Sequence, residues 1–112
     1  MSFSLPNFND AILDIRKLRD YCLNPSHPKG KDKARVFRAA LGITQRDAVW
    51  LRGQILQSLE YAPANIQTED QYGIRYEVNI KITKPNRSAI VTTVWIIARN
   101  DVRPTLITCR IL

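Results

Sequence analysis

From Tyr72 to Ile82 the chain alternates without a break. Tyr72, Ile74, Tyr76, Val78, Ile80 and Ile82 fall on one side, and Gly73, Arg75, Glu77, Asn79 and Lys81 on the other. Successive side chains of a strand point to opposite faces, so this pattern demands a strand with one dry face and one wet face. Its partners are readable downstream. Lys84-Pro85-Asn86-Arg87 reads as a turn. Ser88 to Ala98 is β-rich on both faces, as a central strand would be. Arg99 to Pro104 reads as a second turn, and Thr105 to Ile111 as the last strand. A two-residue hairpin at Pro85-Asn86 would set Tyr76 opposite Trp95 and Val78 opposite Thr93; a slip of one residue would undo that. Ala64 to Gln71 is polar and acidic and reads as a loop or an irregular edge.

Before Pro63 the period is helical. Met1 to Leu13 reads as an extended arm, broken by Pro6 and two asparagines. Asp14 can cap a helix over Ile15 to Leu23, ended by Asn24-Pro25. A second helix is expected over Lys31 to Leu41, with Gly42 as its left-handed stop. Thr44 and Asp47 are placed as a capping box for the longest helix, Gln45 to Glu60. Ala48, Leu51, Ile55 and Leu59 form that helix's stripe. Trp50 lies off the stripe and is expected against a neighbouring helix. Helices first and an antiparallel meander afterwards make an α+β domain, with the meander packed against the helices and one domain over residues 1–112.

The charge narrows the partners. Seventeen Lys and Arg stand against ten Asp and Glu in 112 residues, a net charge of +7. Such a balance favours an anionic partner. No apolar run is long enough to span a membrane, and MSFSLPNFND lacks the marks of a secretory signal. Cys22 and Cys109 lie far apart, with no CxxC and a single His, so a structural zinc site is not expected. Both read as buried thiols of a reducing compartment, hence a cytoplasmic protein. The carboxylates are scattered, so no magnesium site and no cofactor are expected.

The cations concentrate in Pro25 to Thr44, PSHPKGKDKARVFRAALGIT. At about 100° per residue, Ala34, Phe37 and Leu41 share one side of the helix. Lys31, Arg35 and Arg38 share the opposite side, and Lys33 sits on the flank of the apolar stripe. The helix N-terminus adds a positive dipole end beside Lys29 and Lys31. This arrangement can hold phosphate, or it can be a solvated basic face. His27, the one imidazole, can be an acid–base group or a turn residue. Cutting RNA with its own 2′-OH needs no metal, only proton transfer and a cation for the charged intermediate. Thr92, Thr93, Trp95, Thr108 and Arg110 offer polar groups on the late strands. The alternative is that the threonines serve β-propensity and Trp95 the core.

HPKGKDKARVFRAALGIT, QYGIRYEV, TTVWII and PTLITCRIL together resemble an uncharacterised bacterial domain family, over about Leu5 to Leu112. Its members also occur at the ends of large secreted adhesin-like toxins and near phage genes. The order of elements looks like the barnase, EndoU, colicin and RelE group of metal-independent ribonuclease toxins. The resemblance implies an RNA-cutting toxin neutralised by a cognate antitoxin protein. It implies catalysis by Lys33, Arg35, His27, Asp32, Thr93, Thr108 and Arg110. Lys29, Lys31, Arg38, Arg75 and Trp95 would bind the RNA. Two positions depart from the family: Asp32 stands where a His is frequent, and Arg110 where an aromatic is frequent. The rival functions are a basic nucleic-acid-binding module without chemistry and a protein-interaction domain for an acidic partner.

Overall fold

The computed structural model describes residues 3–112. Helical segments come first and a four-stranded antiparallel sheet follows, in the order β1 (Ala64–Asp70), β2 (Gly73–Lys84), β3 (Arg87–Ala98) and β4 (Thr105–Ile111). The expected α+β architecture is therefore present. The hairpin closes at Pro85-Asn86, with Lys84 paired to Arg87. Tyr76 lies opposite Trp95 and Val78 opposite Thr93, as a two-residue turn requires. Tyr76, Val78, Ile80 and Ile82 are buried, while Arg75, Asn79 and Lys81 are exposed. Tyr72 falls just outside the strand and is exposed, its carbonyl accepting the Arg99 N–H. Ala64–Asp70 is a paired edge strand rather than a loop; its register shifts between Ile66 and Thr68.

One helix, α2 (Lys31–Leu41), has the bounds its sequence implies. It buries Ala34, Phe37 and Leu41 and ends at Gly42, whose φ of 67° suits a residue without a Cβ. The next segment opens with the Thr44–Asp47 capping box. Its first turn, Gln45–Asp47, is a 3-10 turn, and α3 (Ala48–Ser58) continues from it. The helix thus stops two residues before the expected Glu60. Its stripe of Ala48, Leu51, Ile55 and Leu59 is in the core. Trp50 packs at the edge of that core under the Lys84 ammonium, 5.6 Å from its ring centre. The cation comes from the β2–β3 hairpin, not from a helix.

The first helix departs most from expectation. A single α-turn, α1 (Ile15–Lys17), passes into a π-turn over Leu18–Cys22. The Leu23 N–H donates to the Leu18 carbonyl at 2.8 Å, five residues back. Leu18, Cys22 and Leu23 are all buried. A regular α-turn would stack Cys22 over Leu18 but swing Leu23 aside; the wider turn brings both into the core. Asp14 does cap α1, accepting the Arg16 N–H at 2.9 Å.

The arm ties the ends of the sheet together. The Phe3 carbonyl accepts the Ala64 N–H at 2.8 Å at the start of β1. Ile12 pairs with Thr105 in parallel at the start of β4. Between them the arm makes a 3-10 turn at Phe8–Asp10, and Leu5 and Leu13 enter the core. Met1 and Ser2, the first two residues of the expected arm, lie outside the described residues.

Candidate nucleic-acid interface

α2 lies on β3 and β4, against the face of the sheet that carries Val78, Thr93 and Cys109. Its opposite side is open. Lys31, Arg35 and Arg38 are exposed, and their spacing of four and three residues lines them up along about 10 Å of helix. At the far end, Leu41-Gly42-Ile43-Thr44 turns the chain so tightly that the start of the next helix lies beside α2. That turn brings Arg46 to the same place. A groove of about 430 Å³ results, lined by Leu23, Pro25, Ala34, Ile43, Arg35, Arg38 and Arg46, with Thr44 and Gln45. The floor is largely apolar and the rim carries three guanidiniums. Arg35 touches Asp32 at 3.6 Å, with both side chains more than three-quarters exposed. Among the described residues, neither Arg38 nor Arg46 meets a carboxylate. Arg46 is invisible to helical periodicity; the short Gly42 turn and the Thr44 cap are the signals that would have located it.

Three other arginines behave differently. Arg16 reaches Asp14 at 2.6 Å, Arg19 reaches Asp20 at 2.8 Å and Arg103 reaches Asp101 at 3.1 Å. The Arg16 guanidinium and backbone N–H hold the Asp14 carboxyl down to about 2. Arg103, by the same two routes, does so for Asp101, also at about 2.

Lys33 turns inward. Its ammonium sits 5.8 Å from the centre of the Tyr21 ring and is close enough to Cys22 to act on the thiol. Tyr21 also receives His27, with ring centres 4.9 Å apart in an edge-on arrangement. No sequence pattern marks Tyr21. Gly30 does leave a trace: a Cβ there would lie 2.2 Å from the Tyr21 carbonyl oxygen, so the loop closes only over glycine. His27 is a turn residue. Its Nδ1 accepts the N–H groups of Lys29 and Gly30, both at 3.0 Å. That lone pair is committed to the loop, which leaves the ring a donor at Nε2 and not a free base. Lys29 lines the same cleft, beside Arg16, Lys17 and Tyr21.

The sheet residues do not join this surface. Thr93 is fully buried, donates to the Val78 carbonyl at 2.8 Å and accepts the Trp95 indole N–H at 2.8 Å. Its proton is engaged and, fully buried, its hydroxyl is out of reach of a substrate. Trp95 is likewise fully buried and cannot stack on a base. Arg110 pairs with Thr92, which pairs with Asn79, so it belongs to the outer face of the sheet, away from α2. Arg75 is on that outer face too. Thr108 stands opposite Val94, and its hydroxyl lies 3.8 Å from the Cys22 sulfur. Asp32 is exposed in the first turn of α2, where an acidic residue suits the helix dipole. The seven residues expected to act together therefore stand in at least three separate places. Arg87 was not anticipated: its guanidinium reaches the Arg38 and Ala39 carbonyls at 3.5 and 3.4 Å, a cation at the C-terminal end of α2.

Fold and groove together define a basic α+β domain with a cationic helix face. The chain belongs to the family described as a domain of unknown function, DUF6883, whose model matches residues 4–112. No curated protein and no solved structure matches it. No helix among the described residues is long and apolar enough to cross a membrane. No cluster of potential metal ligands occurs among them either.

Proposed function

We propose that the domain binds single-stranded RNA along the open face of α2. One observation carries this: Arg35, Arg38 and Arg46 rim one groove, and two of the three lack an acidic partner among the described residues. Three guanidiniums on one groove can each meet one phosphate of a strand that passes along it. Guanidiniums suit phosphate because their planar fork donates two parallel hydrogen bonds. The apolar floor of Leu23, Pro25 and Ile43 gives an unstacked base a dry surface, and guanidinium planes at the rim can cover it. A duplex keeps its bases stacked and offers that floor nothing.

The cutting activity implied by the resemblance has less support. It would depend on Lys33, Arg35 and Asp32, since Thr93 is buried, Arg110 is on the other face and His27 has its lone pair occupied. Binding is tested by fluorescence anisotropy on a short RNA over a salt series with EDTA present. Three phosphate contacts on a single strand give a log–log slope of about −2. A slope near zero, or equal affinity for a duplex, overturns the reading. RNA recovered from the same tubes shows whether it is intact or ends in 2′,3′-cyclic phosphate; only the second result restores a ribonuclease.

A further inference from the structure

Where α1 runs into the π-turn, the surface holds a cleft of about 610 Å³. Tyr21 forms one wall, and its ring is pinned from two directions. The His27 ring meets it edge-on at 4.9 Å, and the Lys33 ammonium stands 5.8 Å from its centre. The Tyr21 carbonyl closes on Gly30, where a Cβ would lie 2.2 Å away, so wall and loop hold each other. His27 lines the cleft too. The loop directs two backbone N–H groups at its Nδ1, each at 3.0 Å, which puts the ring proton on Nε2. Among the described residues that N–H meets no acceptor. The turn itself uses only the acceptor, a part that an asparagine oxygen would fill as well. The charges of the cleft do not cancel either. Its two carboxylates are engaged, Asp14 by Arg16 at 2.6 Å and Asp20 by Arg19 at 2.8 Å. Lys17 and Lys29 line the same cleft, and neither meets a carboxylate among the described residues. Two ammoniums and one imidazole N–H are left over, all of them donors, beside an aromatic ring.

We propose that this cleft holds the terminal phosphate of an RNA strand, with Lys17, Lys29 and the His27 Nε2–H as its donors. A phosphate inside a strand has two free oxygens and a single charge. A terminal phosphomonoester has three free oxygens and a charge of about −1.5 to −2 at pH 7. Three donors answer three oxygens, and lysines suit a compact, strongly hydrated anion. The Tyr21 ring offers the terminal nucleoside a flat wall. The cleft is within reach of the arginine groove. Pro25 lines the groove and His27 the cleft, and two residues of chain span at most about 7 Å. The proposal rests on the groove reading for the body of the strand and adds where the strand ends.

Mononucleotides test the cleft without the groove. Adenosine 5′-monophosphate, adenosine 3′-monophosphate and adenosine are added in turn to the intact protein at matched ionic strength, and the ring signals of His27, the one histidine, are followed by NMR. At least one monophosphate should shift them and adenosine should not; the responding isomer says which end of a strand is held. In anisotropy, a short RNA phosphorylated at that end should bind about tenfold tighter than the same RNA with hydroxyl ends, the size of one hydrogen bond to a charged group. His27→Asn keeps an acceptor for the two loop N–H groups and removes Nε2. Lys17→Met and Lys29→Met keep the stems and remove the charges. Each should pull the preference toward one, with melting close to that of the parent. Silence of His27 toward both monophosphates, equal affinity of the two strands, or a preference that survives all three substitutions overturns the proposal. If the hydroxyl-ended strand fails to bind, the groove reading falls, and the mononucleotide titration still decides the cleft. Should a variant fail to fold, the same titration of the unaltered protein decides alone.

Discussion

Two groups of arginines in this small domain are treated in opposite ways. Around α1 and the last turn, Arg16, Arg19 and Arg103 each lie against an aspartate one or two residues away. Those charges are cancelled locally, and they hold the chain's own turns in shape. Along α2 and the turn after it, Arg35, Arg38 and Arg46 have one loose contact among them, at 3.6 Å. Keeping three guanidiniums together with one loose partner costs repulsion, which a fold can avoid by placing aspartates nearby, as it does for Arg16, Arg19 and Arg103. Their surplus is thus a property of the surface and not of composition alone. Net charge says that something anionic is favoured; Arg75 and Arg110 on the outer sheet face also meet no carboxylate among the described residues, and what sets Arg38 and Arg46 apart is that they share one groove with Arg35.

The sharpest way to break the comparison is to erase the unpaired set. Arg35, Arg38 and Arg46 changed together to Ala should weaken RNA binding about a hundredfold at low salt, taking about 1 kcal/mol per cation against an anionic surface. The salt slope should flatten toward zero. Arg16 and Arg19 changed together to Ala should alter the affinity by less than about threefold. Equal losses in the two variants would show that RNA senses total charge only. Thermal melting of the triple variant should stay close to that of the parent, since all three residues are exposed.

A smaller effect separates Lys33 from its neighbours. Lys33→Met keeps the stem that packs over Tyr21 and removes the charge. It should lower RNA affinity less than Arg38→Ala does, as anisotropy would show. The opposite ranking would return Lys33 to the phosphate-binding row.

The smallest effect tests the paired set by acid titration. Asp14 and Asp101 have carboxyls held down to about 2, below their unfolded values of about 3.9. A depressed carboxyl lends stability above its unfolded pKa and loses it as pH falls through its folded one. Side-chain carbon chemical shifts should place both midpoints near 2. The associated stability should fade between about pH 4 and pH 2. Midpoints near 4 would mean that these arginines are as loosely held as Arg35.

What the sequence disclosed followed from periodicity and from the chemistry of turns. The alternation of Tyr72 to Ile82 and the Pro85-Asn86 turn specify register, because a one-residue slip would turn Tyr76 and Val78 out of the core. The Phe37–Leu41 stripe and Gly42 fix α2 for the same kind of reason. The site was legible only along that helix, where Lys31, Arg35 and Arg38 share a side. Arg46 needed the tight Gly42 turn to be folded in three dimensions. Thr93 and Trp95 share a face in sequence, but only the burial of that face shows that their polar atoms satisfy each other. His27 looked available because the two N–H groups that occupy its Nδ1 are backbone, and backbone leaves no mark on composition. The π-turn was missed because Ile15, Leu18 and Cys22 satisfy an ordinary helix; Leu23, also buried, is what required the wider one.

The arm that bridges the sheet has a consequence in time. Its backbone hydrogen-bond partners are Ala64 at one end and Pro104 and Leu106 at the other. The arm is made before the strands it pairs with and waits for them. α2 is in the same position, for it rests on β3 and β4. Contacts of such large sequence separation slow folding and cannot form until both partners exist. The cationic helix face therefore has no fixed geometry on a nascent chain that lacks β4. It becomes a surface only when the last strand is in place.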